Sequence, residues 1–286
     1  MNLDIKEKKY LVGITVIDIL GTKGVWKSNP FKFISDVTFL FTEYKKLVDS
    51  LRSSLIESLK IVNKDIEFII DFKTFSDTIF IIFGINSKSI EQYKTNEDEK
   101  TISDGCSIIL LCIGILLIGF LNASFQSKIY FRGSIGLGTI YKENDIIIGP
   151  AIAEAAEDHQ QSNWIGVSLT PSASVMLNNL ISKNNTFSKV LGDLYTKYDL
   201  PKKKGIEKDC FVVNWSKFFV KGIIPDSVDI IKKNLKFESN QYMNYDIYMK
   251  YKNTLDYCQM IKKEEKYDIR SYFNDNLIRD LLKELV

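Results

Sequence analysis

Residues 105–125 read GCSIILLCIGILLIGFLNASF, a run without one charged side chain. A stretch of that length and apolarity can cross a bilayer. It lacks the basic and aromatic flanks that anchor a membrane span. It also runs directly into IYFRGSIGLG at 129–138, which alternates like a strand. A helix apolar on every side is stable inside a large core. The run therefore predicts a buried helix packed on a sheet, with no stable membrane insertion; a membrane-anchored sensor is the alternative. Such a core can be built from 286 residues, 45% hydrophobic and 26% charged, and that composition excludes a wholly disordered chain.

The flanking patterns place elements around that helix. YLVGITVID at 10–18 reads as a buried strand ending in an acid, followed by the turn GTKG. Ile34, Val37, Leu40, Phe41, Tyr44, Leu47 and Leu51 recur at helical spacing and predict a long amphipathic helix over 31–61. IEFIIDF at 66–72 and DTIFIIFG at 77–84 form two β-rich runs that suggest a hairpin. The polar stretch 86–104 is expected to loop out. Strands follow at 129–141 and 145–149, then a helix opened by Gly149-Pro150, then the strand WIGVSL at 164–169. The order β-α-β-β-α-β-(β)-α-β predicts an α+β ferredoxin-like βαββαβ core over residues 1–170, with helices on one face. Residues 171–286 read as a C-terminal, mainly helical extension packed on that core. Within it, PKKKG at 201–205 is expected as a basic surface turn, FVVNW at 211–215 as one more strand, and the chain from 226 on as helical.

Charge narrows the function. Lys+Arg 38 against Asp+Glu 36 leaves a net charge of +2, which argues against a nucleic-acid partner. His159 is the sole histidine, so multi-histidine metal sites and Ser-His-Asp or Cys-His nucleophiles are disfavoured. It follows an acidic helical turn and is expected at the surface, whereas Trp164 is expected in the core. Cys106, Cys112, Cys210 and Cys258 form no CxxC pair, and no signal-peptide pattern opens the sequence. Buried free thiols in a reducing, cytoplasmic setting are the expectation.

Two acids carry the chemistry. Asp18 ends the first strand in VIDILGTKG, and Asp77 opens the second hairpin strand in KTFSDTIF. In a βαββ sheet the first strand lies beside that hairpin, so acids at these ends can converge on a metal. Carboxylates suit Mg²⁺, a hard ion that keeps waters for substrate phosphates. The turn from Leu20 through Gly21, Thr22 and Lys23 to Gly24 offers backbone N–H groups to phosphates. The plainer alternative is that Asp18 caps a turn and Asp77 is an ordinary hairpin acid. Gly133, Gly136 and Gly138 lie inside a strand and do not open a helix, so they are not a dinucleotide fingerprint. They fit close approach of a backbone or substrate, or a bulge.

These residues resemble the catalytic domain of class III nucleotide cyclases over about residues 10–170. That family's first metal motif reads approximately F-x-D-I-x-G-F-T, and VIDILGTK at 16–23 fits D-I-x-G. Its hairpin motif reads approximately K-T-x-G-D; Lys73-Thr74-Phe75-Ser76-Asp77 fits with Ser in the place of Gly. Its next strand reads R-x-G-I-x-x-G, and RGSIGLG at 132–138 keeps Arg132, Ile135 and Gly138. The resemblance implies that Asp18 and Asp77 hold two Mg²⁺ or Mn²⁺ ions with the Ile19 carbonyl as a further ligand. It implies that Lys73 selects the base, with Asp145 as its acidic partner. The implied reaction is attack of a ribose 3′-OH on the α-phosphate of a nucleoside triphosphate, releasing pyrophosphate, in a homodimer with shared sites. RGSIGLG, GPAIAEAAE and WIGVSLTPS, with the later KYKNTLDY, further resemble the pyrimidine cyclases of antiphage signalling, which implies UTP or CTP as substrate.

One helix departs from the pattern. The family reads roughly G-x-x-V-N-x-A-x-R there, and GPAIAEAAE at 149–157 puts Ala153 for the ribose-positioning Asn and Glu157 for the phosphate-stabilising Arg. An acid beside a developing oxyanion is electrostatically unfavourable. Either the cation comes from elsewhere, with Arg132, Arg52 and Lys23 as candidates, or the chain is an inactive homologue that binds a nucleotide or partner. A palm-type polymerase or dinucleotide cyclase fits less well, because Ser76-Asp77 offers one acid at the hairpin tip.

Overall fold

The structure is a computed structural model that describes residues 9–20, 29–61, 67–86, 98–144, 146–183, 185–219, 233, 245–261 and 267–268. Its centre is β1 (Lys9–Ile19), which pairs antiparallel with both β3 (Thr78–Asn86) and β4 (Phe131–Glu143). The hairpin partner β2 (Phe68–Phe75) lies at one edge. Beyond β4 come β6 (Gly166–Leu169), β8 (Ile206–Val213) and β7 (Tyr195–Pro201), giving one sheet in the order β2-β3-β1-β4-β6-β8-β7 with the short β5 (Ile146–Ile148) on β4. The expected mixed α+β architecture is therefore present around an eight-stranded sheet.

Alternation along β1 sorts the two faces. Ile17 and Ile19, with Ile79 and Ile81 of β3 and Ile135 of β4, join the main core against α2 (Asp98–Gln126). Val12 and Ile14 point the other way, with Ile82, Ile140 and Ala151, toward α3 (Pro150–Asp158). Asp18 follows the even-numbered set and so turns to the α3 face. The run Gly105–Phe125 is the central helix of the core, 89% buried, as its all-round apolar character predicts. The long α1 (Pro30–Ile61) covers the α2 face beside it through Leu40 and Tyr44.

Four expectations change. The helices do not share one face of the sheet: α1 and α2 cover the Ile17 and Ile19 side and α3 the Val12 and Ile14 side, because β1 is apolar on both faces. The segment 86–104 was expected to loop out, but residues 98–104 are the first turns of α2. Glu and Lys sustain a helix in water once a buried segment has nucleated it. Residues 87–97 lie outside the described part. Residues after 171 supply α4 (Pro171–Ile181), α5 (Thr186–Leu194) and α6 (Tyr245–Ile261), and also strands β7 and β8, which join the same sheet through Ser168 opposite Val212. The paired two-residue strands β9 (Phe218–Phe219) and β10 (Tyr267–Asp268) lie apart from it. The basic turn at 201–205 is only partly a surface feature, because the Lys202 side chain turns inward.

Two glycines are set by packing. Gly136 lies under the first turn of α3, where a Cβ would meet the Ala151 carbonyl oxygen at 2.1 Å. Gly133 would meet the Val16 carbonyl oxygen at 2.7 Å. The close approach expected at these positions is thus made by backbone.

Candidate functional site

The side chains at the carboxyl end of β1 are assembled by register. Asp18 stands opposite Thr78 of β3 on one side and Arg132 of β4 on the other. Directly opposite residues share a face, so all three meet on the α3 side. Thr78 Oγ1 donates to Asp18 Oδ1 at 2.8 Å, and Arg132 Nη2 lies 3.4 Å from Oδ2. The third partner is His159, whose Nε2 lies 3.2 Å from the same Oδ2.

His159 overturns the surface expectation: it is 4% exposed. It caps the carboxyl end of α3, and its Nδ1 sits 3.3 Å from the Ala155 carbonyl oxygen. The signal was present in the sequence as a spacing of four. Ala151, Ala155 and His159 fall on one helical stripe, and all three are buried against the sheet.

Arg132 is anchored further by Nη1, which donates to the carbonyl oxygens of Gln160 and Ser162 at 3.3 and 3.4 Å. Burial pushes the Asp18 carboxyl up, but the hydrogen bonds from His159 and Thr78 and the charges of His159 and Arg132 outweigh it. The group is held below the ordinary carboxylate range.

A second polar cluster adjoins this one under α3. Asp158 Oδ2 accepts from Ser134 Oγ at 2.8 Å and Ser168 Oγ at 3.4 Å, and Oδ1 accepts from Lys202 Nζ at 2.7 Å. Lys202 also reaches Glu207 at 3.1 Å. Burial pulls the Lys202 amine down, yet its bonds to Asp158 and Glu207 hold it above the usual lysine value. Inward lysine and half-buried acid thus satisfy each other beneath the helix.

Asp77 sits in the β2–β3 turn, and its carbonyl oxygen accepts from the Ile19 N–H at 2.9 Å. The two acids singled out from the sequence therefore stand at the same end of adjacent strands, with backbones one residue out of step. Asp18 turns its carboxylate toward α3, while Asp77 lines a hollow of about 200 Å³ with Ile19, Phe33, Val37, Thr74 and Ile79. Ser76 precedes it at φ 59°, the left-handed backbone that a glycine adopts freely.

Lys73 pairs with Phe80, which pairs with Val16, so Lys73 lies on the Asp18 face of the sheet. Arg52 lines a separate cleft between α1 and β2, with Lys45, Asp49 and Phe72. Ala153 and Glu157 are exposed on the outer side of α3. Gly21, Thr22, Lys23 and Asp145 lie outside the described residues. Among the described residues no group of three or more His, Cys, Asp or Glu gathers as a metal site. Trp164 is fully buried, and the four cysteines are buried and free, as expected.

No protein-family model matches the chain, and no curated protein matches it by sequence. Among solved structures it is similar to the catalytic core of a rhodopsin-guanylyl cyclase with converted specificity in complex with ATPαS. That likeness has 15% identity and a TM-score of 0.39, over 72% of this chain and 97% of that one. It is also similar to an adenylate/guanylate cyclase/hydrolase from Silicibacter pomeroyi, at 16% identity and a TM-score of 0.34, over 71% of this chain and 95% of that one. Likenesses this distant carry no functional weight.

Proposed function

We propose that the chain is a nucleotide cyclase acting on a nucleoside triphosphate at the carboxyl end of β1. The observation that carries this is the bond from the Ile19 N–H to the Asp77 carbonyl. It sets the D-I-x-G segment at Asp18 beside the K-T-x-S-D turn at Asp77. The resemblance implies Mg²⁺ or Mn²⁺ on Asp18, Asp77 and the Ile19 carbonyl, oxygen donors of the type these ions take, but the residues as they stand do not fit one shared ion: Asp18 is bonded to Thr78, Arg132 and His159 on the α3 face, and Asp77 lines the hollow on the other face.

In the reaction the ribose 3′-oxygen forms a bond to the α-phosphorus, the bond from that phosphorus to the β-phosphate oxygen breaks, and pyrophosphate leaves. The hydroxyl proton passes to solvent or to a leaving oxygen. Arg132, tied to Asp18 and to two backbone carbonyls, joins His159 and Thr78 in keeping that carboxylate ionised. Lys73, on the same sheet face, is the residue to contact the base or the phosphates.

The exposed Ile146 and Ile148 of β5 and the exposed outer side of α3 support pairing of two copies across this face. UTP and CTP are the first substrates to test, from the resemblance to antiphage pyrimidine cyclases. The second reading, a nucleotide-binding homologue without turnover, is favoured by Glu157, which places an acid on the exposed side of α3. Incubation of the purified chain with each of ATP, GTP, UTP and CTP and Mn²⁺, followed by mass spectrometry, separates the two. A cyclic monophosphate that disappears in Asp18→Ala and Asp77→Ala supports the cyclase. Nucleotide binding without product supports the second reading.

A further inference from the structure

We propose that the cleft between α1 and β2 is a binding site for a small organic anion with an apolar, aromatic body. The cleft shares no residue with the cluster around Asp18, so the inference stands apart from the cyclase reading. Its volume of about 440 Å³ lies in the range of small-molecule sites. The walls are aromatic and aliphatic. Phe41 and Phe72 meet edge to face with ring centroids 5.0 Å apart, and the Tyr44 ring lies 5.5 Å from that of Phe72. Val48, one turn on from Tyr44, continues this surface. Tyr44 is buried, and its hydroxyl makes no hydrogen bond among the described residues. A buried donor left unpaired is unfavourable, and an acceptor on a ligand can pair it.

The charge of the rim selects an anion. Lys45, Asp49 and Arg52 follow at spacings of four and three, so they share one side of α1. Across the cleft, Asp71 is already paired with Lys142 at 3.5 Å. The two cations therefore outnumber the remaining acid, Asp49. Among the described residues Arg52 has no ion pair, which leaves its planar donor fork available to an anionic head. A peptide strand is the poorer occupant. β2 is the edge of the sheet, but its Phe72 N–H donates to Asp71 Oδ1 at 2.8 Å, which blunts the edge along the cleft.

Two dyes of one shape test the site. 8-Anilinonaphthalene-1-sulfonate is a fluorescent aromatic anion, and N-phenyl-1-naphthylamine is the same body without the sulfonate. Each is titrated into the full chain, after thermal melts show each variant folded. The native chain is expected to bind the sulfonate at one site, and more tightly than the neutral amine. Arg52→Gln should weaken the sulfonate roughly fivefold or more and leave the amine unchanged. Val48→Trp fills the cleft and should weaken both dyes. Arg52 is exposed, so its replacement tests the site even where Val48→Trp does not fold. The inference is overturned if the native chain binds neither dye, or if Arg52→Gln changes neither affinity or lowers both alike. Unchanged sulfonate binding in a folded Val48→Trp places the dye elsewhere and overturns it as well.

Discussion

Gly136→Ala tests how α3, which carries both His159 and Asp158, is seated on the sheet. The added Cβ would meet the Ala151 carbonyl oxygen at 2.1 Å, the Ala151 carbonyl carbon at 3.0 Å and the Ala155 Cβ at 3.3 Å. The first of these is backbone and cannot rotate away, so the helix must retreat by about 0.9 Å to reach the 3.0 Å that real Cβ atoms keep. Overpacking of a close-packed contact costs about 1–3 kcal/mol, and a rigid backbone obstacle belongs at the top of that range. For a chain of this size about 3 kcal/mol lowers Tm by roughly 6–12 °C.

The matched control is Gly192→Ala, in α5, where a Cβ meets nothing within 4 Å. There alanine stabilises, by about 0.5–1 kcal/mol, because it restricts the unfolded chain and favours helix. Urea and thermal unfolding of the two variants and the native chain, followed by far-ultraviolet circular dichroism, give both signs in one series. A native Tm in Gly136→Ala, or a larger loss in Gly192→Ala, would refute the packing of α3 on β4 and with it the seat of His159.

Ser76→Gly relieves the left-handed backbone at φ 59° in the β2–β3 turn and is expected to stabilise by about 0.5–1 kcal/mol in the same assay, after the extra entropy of glycine is offset. Asp18 has a depressed folded pKa, so its contribution to stability is present above the ordinary carboxylate range and is lost as pH falls through the lower folded value. Urea midpoints measured from about pH 6 down to pH 2 should therefore fall less steeply in Asp18→Asn than in the native chain below about pH 4. Burial pushes the Cys106 and Cys210 thiols up to about 12 and raises Cys112 further. Ellman's reagent should find no rapidly reacting thiol in the native chain and four after unfolding in guanidinium.

What the sequence determined by itself was local. The uncharged run at 105–125 could only be a helix shielded from water, the alternation in β1 and β4 could only be strands, and both follow from periodicities of a few residues. The same local reading located Asp18 at the end of one strand and Asp77 at the start of another, and the resemblance to the cyclase hairpin motif put Ser76 in the place of a glycine. It did not place His159, although the spacing of Ala151, Ala155 and His159 carried the stripe, because a lone polar residue after an acidic turn looks solvated until the surface beneath it is known. Nor did it turn Lys202 inward or carry β7 and β8 into the sheet, since PKKKG gives the same local pattern whether or not an acid waits below. Those features were decided by the order β2-β3-β1-β4-β6-β8-β7. That order puts Asp18 between Thr78 and Arg132 and lays α3 across them. Contacts between segments far apart in the chain depend on which strands pair and in what register, and burial of the whole apolar surface selects that pairing.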